Sequence, residues 1–249
     1  MNNFTIQKKG MSKDVPSKIV LYGVPKIGKS RFASQFEDVF FIDVEGGLNY
    51  LDKEVDATPT LQNFDDAIAW LQHILNCKDE EFPYKYIAID SLDWVEALAQ
   101  EKLIKKHGAS SITDNNVKAF AYYKGVMEAA SDAIKVIDYL DAIYKKKGIK
   151  AILIAHSEIK NMDLPNKDPY SKYILKTSKY LGQKANEWAD LILFADYDFY
   201  VDKEGKASEP KPVLLAGGSP SFDGGGRMQL PNKIPLNYQS FINELTKEK

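Results

Sequence analysis

The chain has 249 residues, 44% of them hydrophobic, which is enough to bury the core of one α/β domain with at most a small appendage. With 33 basic and 35 acidic residues the net charge is −2, which excludes nucleic-acid binding through overall charge and leaves only a local patch for that role. A single cysteine, Cys77, excludes an internal disulfide and a cysteine-based zinc site. Because no apolar run is long enough to span a bilayer, we expect a cytoplasmic protein with no membrane partner.

Predicted elements alternate between buried strands and helices along the chain. Residues 1–16 are polar and irregular and predict a flexible N-terminal segment, whereas residues 17–249 predict a single domain. Apolar runs predict strands at 18–22, 39–43, 86–90, 151–155 and 189–194. Helical patterns cover 64–75 and 92–147, the second with a polar break at 108–116, and 199–215 read as strand-turn-strand. This order predicts an α/β fold with a mostly parallel sheet, helices on both faces and a C-terminal antiparallel hairpin.

A phosphate-binding pattern, G-x-x-x-x-G-K-[ST], follows the first predicted strand and opens a helix. Its residues are Gly23, Val24, Pro25, Lys26, Ile27, Gly28, Lys29 and Ser30, with Arg31 next in the helix. Backbone N–H groups at a helix N-terminus bind phosphate oxygens, and glycine lets those oxygens approach closely. Lys29 is predicted to reach the β- and γ-phosphates and Ser30 to place its hydroxyl on the metal. The sequence therefore predicts ATP and Mg²⁺ as cofactors.

Two further carboxylates are predicted to complete this site. Asp90 ends the third strand beside the P-loop, where a carboxylate can hold Mg²⁺ through its water shell. Glu45 follows the second strand and precedes two glycines that allow a tight turn, so it is the preferred candidate to position the attacking water. The alternative interpretation is that Glu45 is an exposed loop acid, with Asp43 equally plausible as the base.

Three stretches, GVPKIGKS, FIDVEGGL and YIAIDS, resemble the ATPase core of RecA-like recombinases and stand in the same order. Over about residues 19–245 the chain is most similar to phage nucleotide-binding proteins of the Sak-four single-strand annealing type, through ILIAH, ADLILF and RMQLPNKIPL. The resemblance implies DNA-stimulated ATP hydrolysis, single-stranded DNA binding and a role in recombination or annealing in the cytoplasm of a bacterium that carries the phage or prophage. It also implies a RecA-like oligomer and contact with a single-stranded-DNA-binding protein.

Two further groups of candidate residues follow, the first assigned by the resemblance and the second by the residue pattern. His156, at the end of the fourth strand, would sense the γ-phosphate, although a lone histidine is more often structural. A lysine- and tyrosine-rich segment from 160 to 184 would contact DNA phosphates and bases, and its alternative is a solvated loop with Tyr173 or Tyr180 in the core. Its candidate DNA-binding residues are Lys160, Lys172, Tyr173, Lys176 and Lys179.

Arginine is scarce, since the chain contains only Arg31 and Arg227. Arg227 follows a run of glycines and is the candidate arginine finger for the γ-phosphate of a neighbouring subunit. Gly225 stands where many relatives carry lysine, and an ordinary surface arginine is the alternative. A small-molecule kinase is disfavoured because such enzymes need several arginines to clamp phosphates. A non-catalytic module that uses ATP as a switch is not separated from an ATPase by sequence.

Overall fold

The computed structural model describes residues 15–247, so the predicted flexible segment 1–16 lies almost entirely outside the described residues. The described part forms ten strands and six α-helices. The strands are β1 Lys18–Gly23, β2 Val39–Asp43, β3 Asp56–Ala57, β4 Tyr86–Asp90, β5 Lys150–Leu164, β6 Lys167–Leu175, β7 Leu191–Asp198, β8 Lys211–Leu215, β9 Gly225–Gly226 and β10 Lys233–Pro235. The helices are α1 Lys29–Ser34, α2 Phe64–Asn76, α3 Leu92–His107, α4 Lys124–Lys147, α5 Lys179–Trp188 and α6 Tyr238–Thr246.

One sheet organises these elements, in the strand order β10-β8-β7-β1-β5-β4-β2-β3, with β6 paired to β5 and β9 to β7. Strands β7, β1, β5, β4, β2 and β3 are parallel, and β8 and β10 extend the sheet antiparallel to β7. The parallel strands are apolar runs because both of their faces are covered. The predicted α/β class with a mostly parallel sheet and an antiparallel C-terminal hairpin is therefore confirmed.

Helices cover the two faces of the sheet unequally. Helices α2, α3, α4 and α5 pack on one face, around a core that includes Tyr22 and Phe194. Helices α1 and α6 pack on the other, where Phe241 of α6 lies edge-on to Phe32 of α1 at 5.6 Å between ring centroids and is fully buried. Such aromatic pairs add to the hydrophobic free energy of burial. The short P-loop helix is thus held in place by the last helix of the chain.

Two predicted elements need correction. The fourth strand does not stop at 155: β5 runs on to Leu164 and forms an antiparallel hairpin with β6, so much of the predicted loop from 160 is strand. The C-terminal hairpin is formed by β7 and β8, and only an isolated bridge, Val201 to Ala207, lies within the 199–210 connection. Its predicted turn is present, because Gly205 N–H donates to Asp202 O at 3.1 Å.

Candidate functional site

The P-loop lies at the carboxyl ends of the parallel strands, between the last residue of β1 and the first turn of α1. Gly23 is buried against β7, and Val24 N–H donates to Ala195 O at 3.3 Å. Gly28 has φ 107°, a left-handed conformation that glycine adopts without strain, and it directs the chain into α1. The Lys29 ammonium donates to Gly23 O at 3.1 Å and Val24 O at 3.0 Å. Lys29 is therefore folded back over the loop it is predicted to serve.

The charges around this turn suit a polyanion that binds together with a metal cation. Burial lowers the pKa of Lys29, while Asp90, Glu45 and Asp93 act in the opposite direction. A triphosphate at the helix N-terminus would add negative charge next to the ammonium and would favour its charged form. One buried lysine is surrounded by three acids, and this arrangement fits a site in which a metal cation helps the lysine to neutralise the phosphates.

Asp90 and Ser30 form the predicted metal-binding pair. Asp90 is 4% exposed, and Ser30 is hydrogen-bonded to its carboxyl group. Burial is the largest cause that raises the Asp90 pKa to about 6, and the neighbouring Glu45 and Asp43 raise it further. A hydroxyl and a carboxylate are the hard oxygen donors that Mg²⁺ takes beside nucleotide phosphates. The donor set fits Mg²⁺, which would be held by Ser30 and, through water, by Asp90.

The raised pKa of Asp90 predicts that metal binding depends on pH. Between pH 7 and pH 5 we expect the affinity of the protein–ADP complex for Mg²⁺ to fall roughly tenfold, because a carboxyl group with a pKa of about 6 must lose its proton to serve a cation. Calorimetric titration of Mg²⁺ measures this. Asp90→Asn should lose that part of the slope and keep only the titration of the nucleotide, and equal slopes in the two proteins would contradict the assignment.

The raised pKa of Asp90 also determines how its contribution to the free energy of unfolding changes with pH. Between the ordinary value of 3.8 and about 6 the folded chain binds more protons at Asp90 than the unfolded chain does. The contribution of this group to the free energy of unfolding is therefore present at low pH and is lost as pH rises through 6. Asp90 is thus retained at a cost to stability, which is typical of a functional carboxylate.

Glu45 and Asp43 occupy different environments after β2. Asp43 is buried, and its carboxylate accepts hydrogen bonds from Gly46 N–H at 2.7 Å and from the Thr60 hydroxyl at 2.9 Å. Glu45 N–H donates to Asp90 O at 3.1 Å, and its side chain remains 32% exposed. Asp43 therefore holds the turn, whereas Glu45 projects beside the carboxyl end of β4 with a carboxylate free to meet solvent or a ligand.

His156 lies between two acids at the end of the sheet portion of β5. Its Nδ1 is 2.9 Å from Asp93 Oδ2, its backbone N–H donates to Asp93 Oδ1 at 3.0 Å, and its Nε2 is 3.7 Å from Glu45 Oε1. Burial raises the pKa of Asp93, but its interactions with neighbouring residues, chiefly those with His156, together outweigh burial and leave the pKa below its usual value. An ionised Asp93 fixes the orientation of the imidazole, so His156 can present Nε2 toward Glu45.

Asp93 is a member of this site that sequence reasoning missed. It lies in the first turn of α3, three residues after Asp90, whereas its partner His156 is 63 positions away in the chain. The only local signal was that the strand in YIAIDS runs directly into a helix, whose first turn contains an acid. The pairing itself depends on β5 lying next to β4.

The predicted DNA-binding residues are divided by the structure. Lys172 pairs with Asp223 at 2.5 Å, and the Tyr173 ring packs 5.0 Å from Phe194, so these two are engaged in the fold. Lys160, Lys176 and Lys179 are exposed on the hairpin and at the start of α5. Glu158, Asp163 and Asp168 are exposed on the same hairpin, so its charge is mixed.

Arg227 is distant from the P-loop of its own chain. It follows β9, whose Gly226 pairs with Leu191 at the start of β7, whereas the P-loop lies next to Ala195 near the other end of that strand. Its guanidinium donates to Asp190 Oδ1 at 2.9 Å, and the side chain is 75% exposed.

Arg31 is also paired at the protein surface, since its Nε lies 2.7 Å from Asp52 Oδ2. Neither arginine of the chain therefore meets the phosphate site of the same subunit in this structure.

Comparison with known proteins assigns the family. The sequence profile of the family described as AAA domain (AAA_24) matches residues 16–228, which is most of the chain. The chain belongs to this AAA domain family. Membership makes it a P-loop NTPase domain, as the phosphate-binding pattern predicted, and nucleotide is the ligand that such a domain binds.

Other comparisons add less. Among solved structures, a KaiC-like protein from the hyperthermophilic archaeon Pyrococcus horikoshii OT3 is similar, with 14% identity, a TM-score of 0.46, and coverage of 88% of this chain and 84% of that one. No curated protein sequence matches significantly. Within residues 15–247, no helix is long and apolar enough to cross a membrane.

Proposed function

We propose that this AAA domain protein hydrolyses Mg-ATP and couples hydrolysis to binding of single-stranded DNA during recombination or strand annealing. The observation that most supports hydrolysis is the cluster at the carboxyl ends of β1, β2, β4 and β5. Lys29 and Ser30 can hold the phosphates and metal, Asp90 the metal waters, and Glu45 the attacking water. Glu45 Oε1 lies 3.7 Å from His156 Nε2, which is too long for a hydrogen bond, so the carboxylate is free to turn toward a water beside the γ-phosphate.

The role of each residue in this mechanism follows from its position. Mg²⁺, when bound, neutralises charge on the phosphates during transfer. Lys29 leaves the carbonyls of Gly23 and Val24 to bind the β- and γ-phosphates, and Ser30 and Asp90 orient the metal. Glu45 accepts a proton from the attacking water, or orients that water, because its carboxylate is exposed rather than buried. His156, oriented by Asp93, responds to the presence of the γ-phosphate.

Coupling to DNA is supported by the continuity of β5. This strand carries His156 and continues for eight residues into the hairpin, on which Lys160 is exposed, and Lys176 N–H donates to His156 O at 2.9 Å. A polyanion that binds the exposed lysines therefore touches the segment that carries the candidate sensor. Association into a RecA-like oligomer, contact with a single-stranded-DNA-binding protein and an origin in phage or prophage belong to the same proposal. A protein that stays monomeric with ATP and single-stranded DNA would contradict the oligomer.

The test of DNA coupling is the ATPase rate with and without single-stranded DNA at two salt concentrations. We expect single-stranded DNA to stimulate the ATPase rate. The apparent affinity for DNA should fall at least tenfold between roughly 50 and 200 mM salt, because phosphate contacts release counterions. Alanine at Lys160, Lys176 and Lys179 should remove the stimulation and keep the basal rate. A matched triple variant at Lys105, Lys106 and Lys118, exposed lysines at or beyond the far end of α3, should behave as wild type. A rate that ignores DNA would favour the ATP-switch module instead.

A further inference from the structure

The roles proposed so far concern only the phosphates and the metal, and the two acids and the histidine assigned to them lie on one side of β1. Asp90, Glu45 and His156 belong to or follow β4, β2 and β5, which succeed one another on that side of the sheet. The γ-phosphate end of a nucleotide must face these residues if Glu45 is to reach the attacking water. The nucleoside, at the opposite end of the triphosphate, is therefore directed toward the other side of β1, where β7 and β8 lie.

An apolar surface lies on that side, against the first turn of α1. A Cβ placed on Gly28 would be 3.8 Å from Leu236 Cδ2, so the P-loop and Leu236 are in van der Waals reach. Leu236 N–H donates to Pro212 O at 3.1 Å, and Pro212 pairs with Tyr197 of β7. Leu236 closes the LPNKIPL stretch, for which the phosphate site provides no role.

The three residues also share one face of the sheet. Along β7, Leu191, Leu193 and Ala195 belong to the core beneath α1 and α6, and Tyr197 continues this alternation beyond Ala195. Leu214 of β8 and Leu236 belong to the same core. Pro212 precedes Leu214 by two residues on β8 and therefore faces the same side of the sheet. Tyr197 is nevertheless 39% exposed. An aromatic ring, a proline ring and a leucine thus form a surface, here called the nucleoside platform, that is open to solvent beside the P-loop.

We propose that the nucleoside of the bound nucleotide rests on the nucleoside platform of Tyr197, Pro212 and Leu236. A flat purine base loses apolar surface to water when it packs on aliphatic and aromatic side chains, and a tyrosine ring adds the preference for stacking. This inference rests on the proposed nucleotide binding at the P-loop and adds the part of the ligand that the P-loop does not hold. It gives the C-terminal strands a direct role in affinity.

The experiment compares ATP with inorganic tripolyphosphate, which carries the phosphates without a nucleoside. Dissociation constants for both are measured by calorimetry on wild type, Tyr197→Ser, Leu236→Ala and Tyr197→Phe. We expect Tyr197→Ser and Leu236→Ala each to weaken ATP binding roughly fivefold and to change tripolyphosphate binding less than twofold. Tyr197→Phe keeps the ring and should restore ATP affinity. Tyr144→Ser is the matched control, since Tyr144 is similarly exposed at 37% but lies on α4, across the sheet.

The outcomes separate the platform from the proposed function. Equal weakening of ATP and tripolyphosphate in Tyr197→Ser, or no weakening of either in both Tyr197→Ser and Leu236→Ala, overturns the platform and leaves phosphate binding at the P-loop intact. If wild type binds neither ligand in the presence of Mg²⁺, the proposed function is wrong and the platform falls with it. Thermal unfolding of each variant shows whether a loss of affinity reflects loss of the fold.

Discussion

Replacing Glu45 by glutamine is expected to lower the rate of ATP turnover by roughly 10²- to 10⁴-fold, the range measured for the loss of a positioned general base. Affinity for ATP should stay within about twofold, because Glu45 is 32% exposed and the phosphates are expected to bind to Lys29 and the backbone N–H groups of the P-loop rather than to Glu45. Glutamine preserves the size of the side chain but cannot accept a proton. Steady-state turnover and equilibrium nucleotide binding, measured on the same preparation, test both halves of this expectation.

Asp43→Asn is the informative control for Glu45. Asp43 is buried and accepts hydrogen bonds from Gly46 N–H and the Thr60 hydroxyl. The NH₂ group of an asparagine there would face one of these two donors and lose that hydrogen bond in at least one rotamer. We expect a lower melting temperature rather than a selective loss of turnover. If Glu45→Gln keeps wild-type turnover while Asp43→Asn loses it without loss of stability, Asp43 is the base.

Replacing Gly23 by alanine is expected to disrupt both the fold and nucleotide binding. The new Cβ would lie 2.1 Å from Ala195 O, and that oxygen belongs to the backbone of β7, directly paired with β1. The two central strands would have to separate where the P-loop begins. Overpacking of this kind costs about 3 kcal/mol, which corresponds to a melting temperature lower by roughly 10 °C in a chain of this size.

The control for Gly23 is Gly47→Ala. Gly47 has φ −84°, and a Cβ there would have no heavy atom within 4 Å apart from its chain neighbours, so the melting temperature should change by less than about 2 °C. Thermal unfolding followed by circular dichroism compares the two variants directly. A Gly23→Ala protein as stable as the Gly47→Ala protein would show that β1 and β7 are less tightly coupled than the structure has them.

Much of the phosphate site was predictable because its signals are local. Gly23 to Ser30 lie within eight consecutive residues, and Asp90 ends an apolar strand whose direction places it at the same edge of the sheet. Asp93 was not predictable in the same way, since its importance comes from a hydrogen bond between the first turn of α3 and His156 on β5. Likewise, the ion pair of Arg227 with Asp190 depends on how β9 meets β7, which no nearby residue indicates.

The fold was predictable for a related reason, and its exceptions are instructive. Fully buried strands such as β4 are continuous apolar runs, whereas the outer half of β5 alternates polar and apolar residues and lacks that signal. The turn between β5 and β6, at Pro165 and Asn166, was the available clue to a hairpin. Its lysines and tyrosines predict DNA contact instead, and no local signal indicates that Lys172 pairs with Asp223 or that Tyr173 packs on Phe194.

The edge-on packing of Phe241 against Phe32 bears on how the protein may be shortened. The region that matches the AAA domain profile ends at residue 228, so a fragment cut to that boundary would lack β10 and α6. Such a fragment would keep every phosphate-binding residue but expose the hydrophobic underside of α1, including Phe32 and Phe36, to water. We therefore expect the smallest unit of this chain that folds and binds nucleotide to extend at least to Phe241, and a fragment that ends at residue 228 to be less soluble than the full chain.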